Sequence, residues 1–297
     1  AYHIHGLCAR GNHVYCANYT EGLKTVDVSN PASMHITATN VFDAVGVCDY
    51  AARGLVRRGD TLFMTQDGYG LMSFDLGAPA TPVLITNFIP SAVPFPYDAL
   101  DRAWMDGTTA AVIGGTNLWL INTANPTSMA ELGRWTTGGA TLDGVHLETS
   151  VVALASSWGT VPGVGLDRGG LRLVDVSNPA APAALGRAIT SGQPWNMAIR
   201  GDLAYVANYD GGLHIVNIAD PTNMYRVGRY DTPGRALGVD LSGDGHYAAV
   251  AYGSAGLTIL DVSDPSNILW HASLPMSGPA EDVAVLLRSF QRLVDEG

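Results

Sequence analysis

Six times along its length the chain repeats one phrase: a Gly-Leu pair, a few alternating residues, then Asp-Val-Ser-Asn-Pro or a close variant. The copies begin at Gly22, Gly70, Asn117, Gly170, Gly212 and Gly256 and end at Pro31, Pro79, Pro126, Pro179, Pro221 and Pro265. A period in the forties, strand-like alternation and a turn closed by proline mark a β-propeller or a similar array. A chain of 297 residues could be two domains by length alone. The repeat runs from near its first residue to near its last, so the sequence predicts one ring over residues 1–276. Residues 277–297 are left as a C-terminal helix or a ring-closing segment.

The fifth copy shows the predicted blade. Residues 194–199 form a short inner strand A, and Arg200-Gly201-Asp202 is a hairpin turn with a glycine free to take a positive φ. Residues 203–207 are strand B, rich in strand formers. Residues 208–211 are the B–C loop, residues 212–218 strand C, and residues 225–230 the outer strand D. Leu213, Ile215 and Val216 are predicted to bury between sheets. The positions of Asp27, Asp75, Asn122, Asp175, Asn217 and Asp261 hold only Asp or Asn. Such side chains bond turn amides two residues on, so these residues read as structural rather than catalytic. The proline after each has no N–H to leave unpaired and stops strand C.

The phrase resembles that of the LVIVD-repeat family of bacterial and archaeal β-propellers. Gly170-Leu171-Arg172-Leu173-Val174-Asp175-Val176-Ser177-Asn178-Pro179 lies close to that family's pattern. The third copy departs most, with Asn117 for the glycine and Ile121-Asn122-Thr123 in place of Val-Asp-Val. The resemblance implies an all-β, six-bladed propeller. It also implies a secreted, periplasmic or cell-surface scaffold with no single chemistry. The chain begins at Ala1, which fits a removed leader or a trimmed chain equally.

The tail is ambiguous. Residues 277–281 read as a helix start, and Val283, Leu286, Leu287, Phe290, Leu293 and Val294 fall at helical spacing. A C-terminal helix is the expectation. The alternative is a strand that closes the ring or begins a seventh blade, since residues 279–285 also resemble a strand A.

Composition narrows the partners. The net charge is −11, with Lys24 the single lysine and no basic stripe, so nucleic acid is excluded as a partner. No apolar run approaches the roughly 20 residues of a membrane helix, so membrane insertion is not expected. Cys8, Cys16 and Cys48 match no metal or redox spacing. Three free thiols are expected, with a Cys8–Cys16 cross-strand bridge as the alternative.

Function is sought where the copies disagree. Strand A aligned through the A–B turns puts His5, Arg53, Asp101, Asp143, Trp195 and Leu237 at one position. The next holds Gly6, Gly54, Arg102, Gly144, Asn196 and Gly238. Two residues before the first stand His3, Ala51, Ala99, Thr141, Gln193 and Arg235. Two after the second stand Cys8, Val56, Trp104, His146, Ala198 and Asp240. The turns of copies two and six differ in length, which leaves a one-residue shift open there. Packing alone accounts for the glycines; it does not account for the His, Asp, Arg and Trp.

The B–C loops add Tyr19, Tyr69, Trp158, Tyr209 and Tyr252 to the same predicted axial face. The fourth, residues 156–168, reads as a long Gly-rich recognition loop. The favoured reading is a binding module offering this face to a polar small molecule, a sugar or a protein. An enzyme is the alternative, with His5 or His146 as base, Asp101 or Asp143 orienting it, and Arg53, Arg102 or Arg235 holding an oxyanion. A pure scaffold is the third. The ligand-contact set is His3, Arg53, Arg102, Trp104, Trp158, Gln193, Trp195, Asn196, Tyr209, Arg235 and Tyr252. No metal site is assigned and no cofactor is indicated. Arg58-Gly59-Asp60 and Arg200-Gly201-Asp202 look like adhesion tripeptides, but hairpin-turn chemistry explains both.

Overall fold

The computed structural model describes residues 4–18, 21–41, 52–91, 100–138, 140–148, 150–161, 165–167, 169–190, 192–231, 234–276, 278–280 and 282–283. For strand residues 140–143, 147–148, 158–161 and 165–167 the description is of backbone alone. The fold is all-β: six antiparallel sheets follow one another along the chain, each a meander.

The first sheet contains β1 (Ile4–Arg10), β2 (His13–Asn18), β3 (Gly22–Asp27) and β4 (His35–Asn40). The second contains β5 (Ala52–Arg58), β6 (Thr61–Gln66), β7 (Gly70–Asp75) and β8 (Val83–Phe88). The third contains β9 (Arg102–Asp106), β10 (Thr109–Gly114), β11 (Asn117–Asn122) and β12 (Ala130–Thr136). The fourth contains β13 (Ala140–Glu148), β14 (Val151–Val161), β16 (Gly170–Asp175) and β17 (Ala183–Ala188), with β15 (Gly165–Asp167) paired to the end of β14. The fifth contains β18 (Asn196–Arg200), β19 (Leu203–Ala207), β20 (Leu213–Asn217) and β21 (Tyr225–Tyr230). The sixth contains β22 (Gly238–Leu241), β23 (Tyr247–Ala251), β24 (Leu257–Asp261) and β25 (Leu269–Leu274). These are the blades A to D that the repeat predicts.

The chain forms two compact units. One comprises residues 1–137, 147–150 and 176–182; the other comprises residues 138–146, 151–175 and 183–297.

Register is the same from blade to blade. Cys8, Val56, Trp104, Ala198 and Asp240 lie opposite Tyr15, Phe63, Ala111, Tyr205 and Ala249. Those in turn lie opposite Thr25, Ser73, Leu120, Ile215 and Ile259. The strand-A alignment therefore holds in the second and sixth copies, with no one-residue shift. In all six blades a β-bulge falls one step later on strand C, for example between Ile215 and Val216. A bulge sharpens local twist.

Five of the six repeated Asp or Asn residues close a turn as expected. Oδ1 of Asp27, Asp75, Asn122, Asn217 and Asp261 accepts the amide of residue i+2 at 2.7–3.1 Å. A second such turn follows directly, with Asn30, Asn125, Asn178, Asp220 and Asp264 accepting two residues on. These hydrogen bonds hold the Asp27, Asp220, Asp261 and Asp264 carboxyls below the usual carboxylate range.

The proline does more than stop strand C. Its carbonyl docks on the blade before it. Pro79 accepts from Tyr15 Oη at 3.1 Å and Pro126 from Ser73 Oγ at 2.9 Å. The carbonyls of Pro179, Pro221 and Pro265 lie against Gly133, Gly186 and Gly228 of the preceding strand D. A Cβ at those glycines would come within 1.9, 1.7 and 2.0 Å of the oxygen. The Arg58 guanidinium also donates to Thr123 Oγ1 and the Thr123 carbonyl at 2.9 and 2.6 Å, and Arg200 to the Gly243 carbonyl at 2.9 Å. Both Arg-Gly-Asp turns thus have their arginine committed to the next blade.

Two sequence expectations change. No α-helix occurs among the described residues; the one helical turn is the 3₁₀ segment Pro31–Ser33. Ala280, placed at a helix start by the sequence, is extended and bridges Gly253 in both directions, as Ala236 bridges Tyr209. Asp282 then lies beside Gly238, repeating the approach of Arg102 to Gly54. The extended reading of the tail fits residues 278–280 and 282–283, while residues 277, 281 and 284–297 lie outside the described residues. The bridge at Ala280 overturns the helix start read there; of the residues at helical spacing, only Val283 lies among the described residues.

The second change is the fourth B–C loop. Most of it is strand: Gly159, Thr160 and Val161 pair with Asp167, Leu166 and Gly165 in a hairpin extension. Its Gly-Thr-Val and Gly-Leu-Asp segments can ladder where a loop was expected.

The expectation of free thiols holds for the two described cysteines. Cys8 and Cys16 are free. Cys8 faces Tyr15 while Cys16 faces Leu7, so the two thiols point to opposite faces of the sheet. Cys48 lies outside the described residues.

Candidate functional site

In the first unit the variable strand-A positions form an ionic cluster. Arg53 Nη1 is 3.1 Å from Asp101 Oδ1, and its Nε is 3.4 Å from Asp67. Thr65 locks the backbone beneath: its Oγ1 accepts the Gly54 amide at 2.7 Å and donates to the Asp101 carbonyl at 3.0 Å. Arg53 falls where the β5–β6 register shifts, and His5 where β1–β2 does. A bulge re-aims the side chain it carries. Both strands thus leave the regular ladder at the predicted functional position. His5 is half-buried, Arg102 opens β9 half-buried, and Trp104 is 38% exposed two residues on. Asp101 is therefore an ion-pair partner of Arg53. His3 lies outside the described residues.

The second unit holds an aromatic–cation cluster. Trp195 stacks on Tyr209 with ring centroids 5.8 Å apart and planes at 29°. The Arg235 guanidinium carbon lies 4.8 Å from the Tyr209 ring centroid. Arg235 Nε is 3.5 Å from Asp210 Oδ1, and the two side chains are 63% and 75% exposed. Asn196, which follows Trp195, donates to Asp282 at 3.2 Å and accepts the Met197 amide at 2.6 Å. Gln193 is half-buried just before Trp195.

Backbone geometry singles out Tyr209. Its φ is +50°, a left-handed value held by no other non-glycine among the described residues. The blade geometry demands it: the matching residue in the sixth blade is Gly253, with φ of +54° and the same pair of bridging hydrogen bonds. Glycine adopts this conformation without strain, whereas a residue with a Cβ loses roughly 1–2 kcal/mol. The fifth blade keeps an aromatic side chain where the sixth uses none.

His146 and Tyr252 are interior residues. His146 is 8% exposed, and burial lowers its pKa to about 4, so it is the neutral imidazole near pH 7. Tyr252 is 1% exposed within the core shared by the fifth and sixth sheets and is not a contact residue. Tyr69 packs on the core of the second sheet. The side chains of Asp143 on β13 and Trp158 on β14, together with all of Tyr19, lie outside the described residues. Among the described residues, no group of three or more His, Cys, Asp or Glu side chains is placed to hold a metal ion. No helix among them is long and apolar enough to cross a membrane.

The sequence reading missed Asp67, Asp210 and Asp282, the carboxylates that hold Arg53, Arg235 and Asn196. A signal for the first two exists: each sits in a B–C loop within two residues of a tyrosine. It also missed a buried polar set in the fifth blade. Thr190 Oγ1 donates to Asn208 Oδ1 at 3.0 Å, and Asn208 Nδ2 lies 3.5 Å from His214 Nε2. His214 is fully buried, and desolvation lowers its pKa to about 4.

Six repeated four-stranded meanders with a common register define a six-bladed β-propeller. Solved structures agree at the level of fold. A chain of the mitotic checkpoint complex matches with a TM-score of 0.67 and 11% identity, covering 94% of this chain and 79% of that one. The computationally designed Ika8 protein matches at 0.62 and 8%, covering 95% and 90%. The Pan2 WD40 domain of Neurospora crassa matches at 0.60 and 12%, covering 83% and 71%. No curated protein matches the sequence. The LVIVD repeat model matches residues 5–39, 164–190, 191–232 and 233–273. Four segments of the chain thus carry LVIVD repeats; its second and third copies lie outside the matched segments.

Proposed function

We propose that this propeller is a binding module, and that its recognition surface in the second unit is built on Trp195, Tyr209 and Arg235. The observation that carries the reading is the left-handed Tyr209. Strain kept at one residue, where a sister blade uses glycine, marks a position where the side chain is wanted. The ring it presents is stacked on Trp195 and topped by an exposed guanidinium, an arrangement suited to a polar ligand or a protein side chain with one flat face. The state of the other candidates supports binding over turnover. His146 is neutral with a pKa well below the operating range of a general base, and Asp101 is engaged by Arg53.

The test is a thermal-shift screen of neutral sugars, acidic sugars, small carboxylates and short peptides against the wild type and Trp195→Ala. A ligand at about 100 times its Kd should stabilise the wild type by roughly 2.7 kcal/mol. The shift should vanish in Trp195→Ala. A shift of equal size in the variant would place the site elsewhere.

A further inference from the structure

We infer that the site is specific for an acidic sugar, a uronate whose carboxylate is taken by Arg235 and whose ring packs on the Trp195 face. The inference rests on the binding-module reading and adds the ligand's charge and shape. Arg235 is held at two points and open at the rest. Its Nε faces Asp210 and its plane lies over Tyr209. Its two Nη groups have no protein partner among the described residues, and the side chain is 63% exposed. A guanidinium fixed in this way loses little freedom on presenting its outer fork, the geometry that matches a carboxylate bidentately.

Charge gives a second argument. The chain carries −11 overall, so its general field repels anions. An anionic ligand needs a local, pre-aimed cation, and Asp210, at 3.5 Å and largely exposed, does not cancel it. Asp210 orients the Nε edge and leaves the other edge to the ligand. Shape gives the third. The ring in contact with that guanidinium is Tyr209, and Tyr209 stacks in turn on the half-buried Trp195, which extends the flat apolar surface. Pyranose C–H faces pack on such surfaces. The Gln193 amide, half-buried two residues before Trp195, supplies both a donor and an acceptor for sugar hydroxyls.

The experiment is calorimetric titration of the whole chain with trigalacturonate, its fully methyl-esterified form, and the tripeptide Gly-Gly-Phe. Wild type, Arg235→Gln, Arg235→Lys and Trp195→Ala are compared. Trigalacturonate should bind the wild type and lose at least tenfold in affinity in Arg235→Gln. Arg235→Lys should lose nearly as much, because lysine keeps the charge but not the fork. The methyl ester should bind at least tenfold more weakly. Equal binding of ester and acid, lost in Trp195→Ala alone, would overturn the acidic-sugar inference while leaving the binding module standing. Binding of Gly-Gly-Phe but not trigalacturonate would overturn it in favour of a peptide terminus. Trigalacturonate binding unchanged in every variant would overturn both the inference and the site.

Discussion

At the scale of single residues, Tyr209 sets backbone strain against side-chain use. In Tyr209→Gly the left-handed strain of about 1–2 kcal/mol is relieved, while a stack and a cation–π contact of comparable worth are lost. Chemical denaturation should therefore find its stability within about 1 kcal/mol of wild type, while affinity for a ligand of the site falls sharply. His214 acts through protonation. Its pKa is about 4 in the fold against 6.5 when unfolded, so between those values the unfolded chain binds more protons. Stability is complete above pH 6.5 and declines as pH falls toward 4, by on the order of 3 kcal/mol for this group. His146 adds a decline in the same window. Denaturant midpoints measured from pH 7 to 4.5 should drop, and the drop should shrink in His214→Gln. The turn aspartates were readable from sequence because a role repeated six times shows as a pattern. Asp210 and His214 were not, because each occurs at one copy and acts through a neighbour the alignment does not reveal.

At the scale of the blade, the contact of proline carbonyl with strand-D glycine joins one copy to the next. Adding a Cβ at Gly186 or Gly228 would place it about 2 Å from a backbone oxygen, and backbone cannot swing aside as a side-chain tip can. Gly186→Ala and Gly228→Ala should each lose 2 kcal/mol or more, in the upper range for point substitutions. Gly278→Ala, with nothing within 4 Å of its Cβ, should change stability by less than about 0.5 kcal/mol. Strand boundaries of the fifth blade were legible to within two residues, since alternation and turn glycines both mark them. The inter-blade role of the proline was not, because sequence shows what a proline prevents within its own strand and not what its carbonyl touches 35 to 46 residues upstream.

At the scale of the whole chain, burial falls from the middle of each sheet outward. Strand B is almost wholly buried in every blade whose side chains are fully described, and strand D is largely exposed. Native-state hydrogen exchange should accordingly be slowest in β6, β10, β19 and β23 and fastest in β4, β8, β21 and β25. Uniform protection across strands B and D would contradict the burial gradient. Fold class, blade number and register were all legible, because they are properties of the repeat. The helix start at Ala280 and the fourth B–C loop were misread, because neither has five other copies to average over.

That fourth blade shows what a shared register permits. Its hairpin of β14 and β15 grows from the B–C junction, yet Ser156 still pairs with Gly170 and every later pairing of β14 with β16 stays in step. The junction behaves as an insertion port: chain can be added there without the sheet below recording it. A lineage assembled from such copies can change its contact surface one loop at a time while holding its core fixed. The same port invites deliberate grafting. Replacing the 11 residues 158–168 with a foreign recognition loop should leave the other five blades untouched and the fourth still in frame.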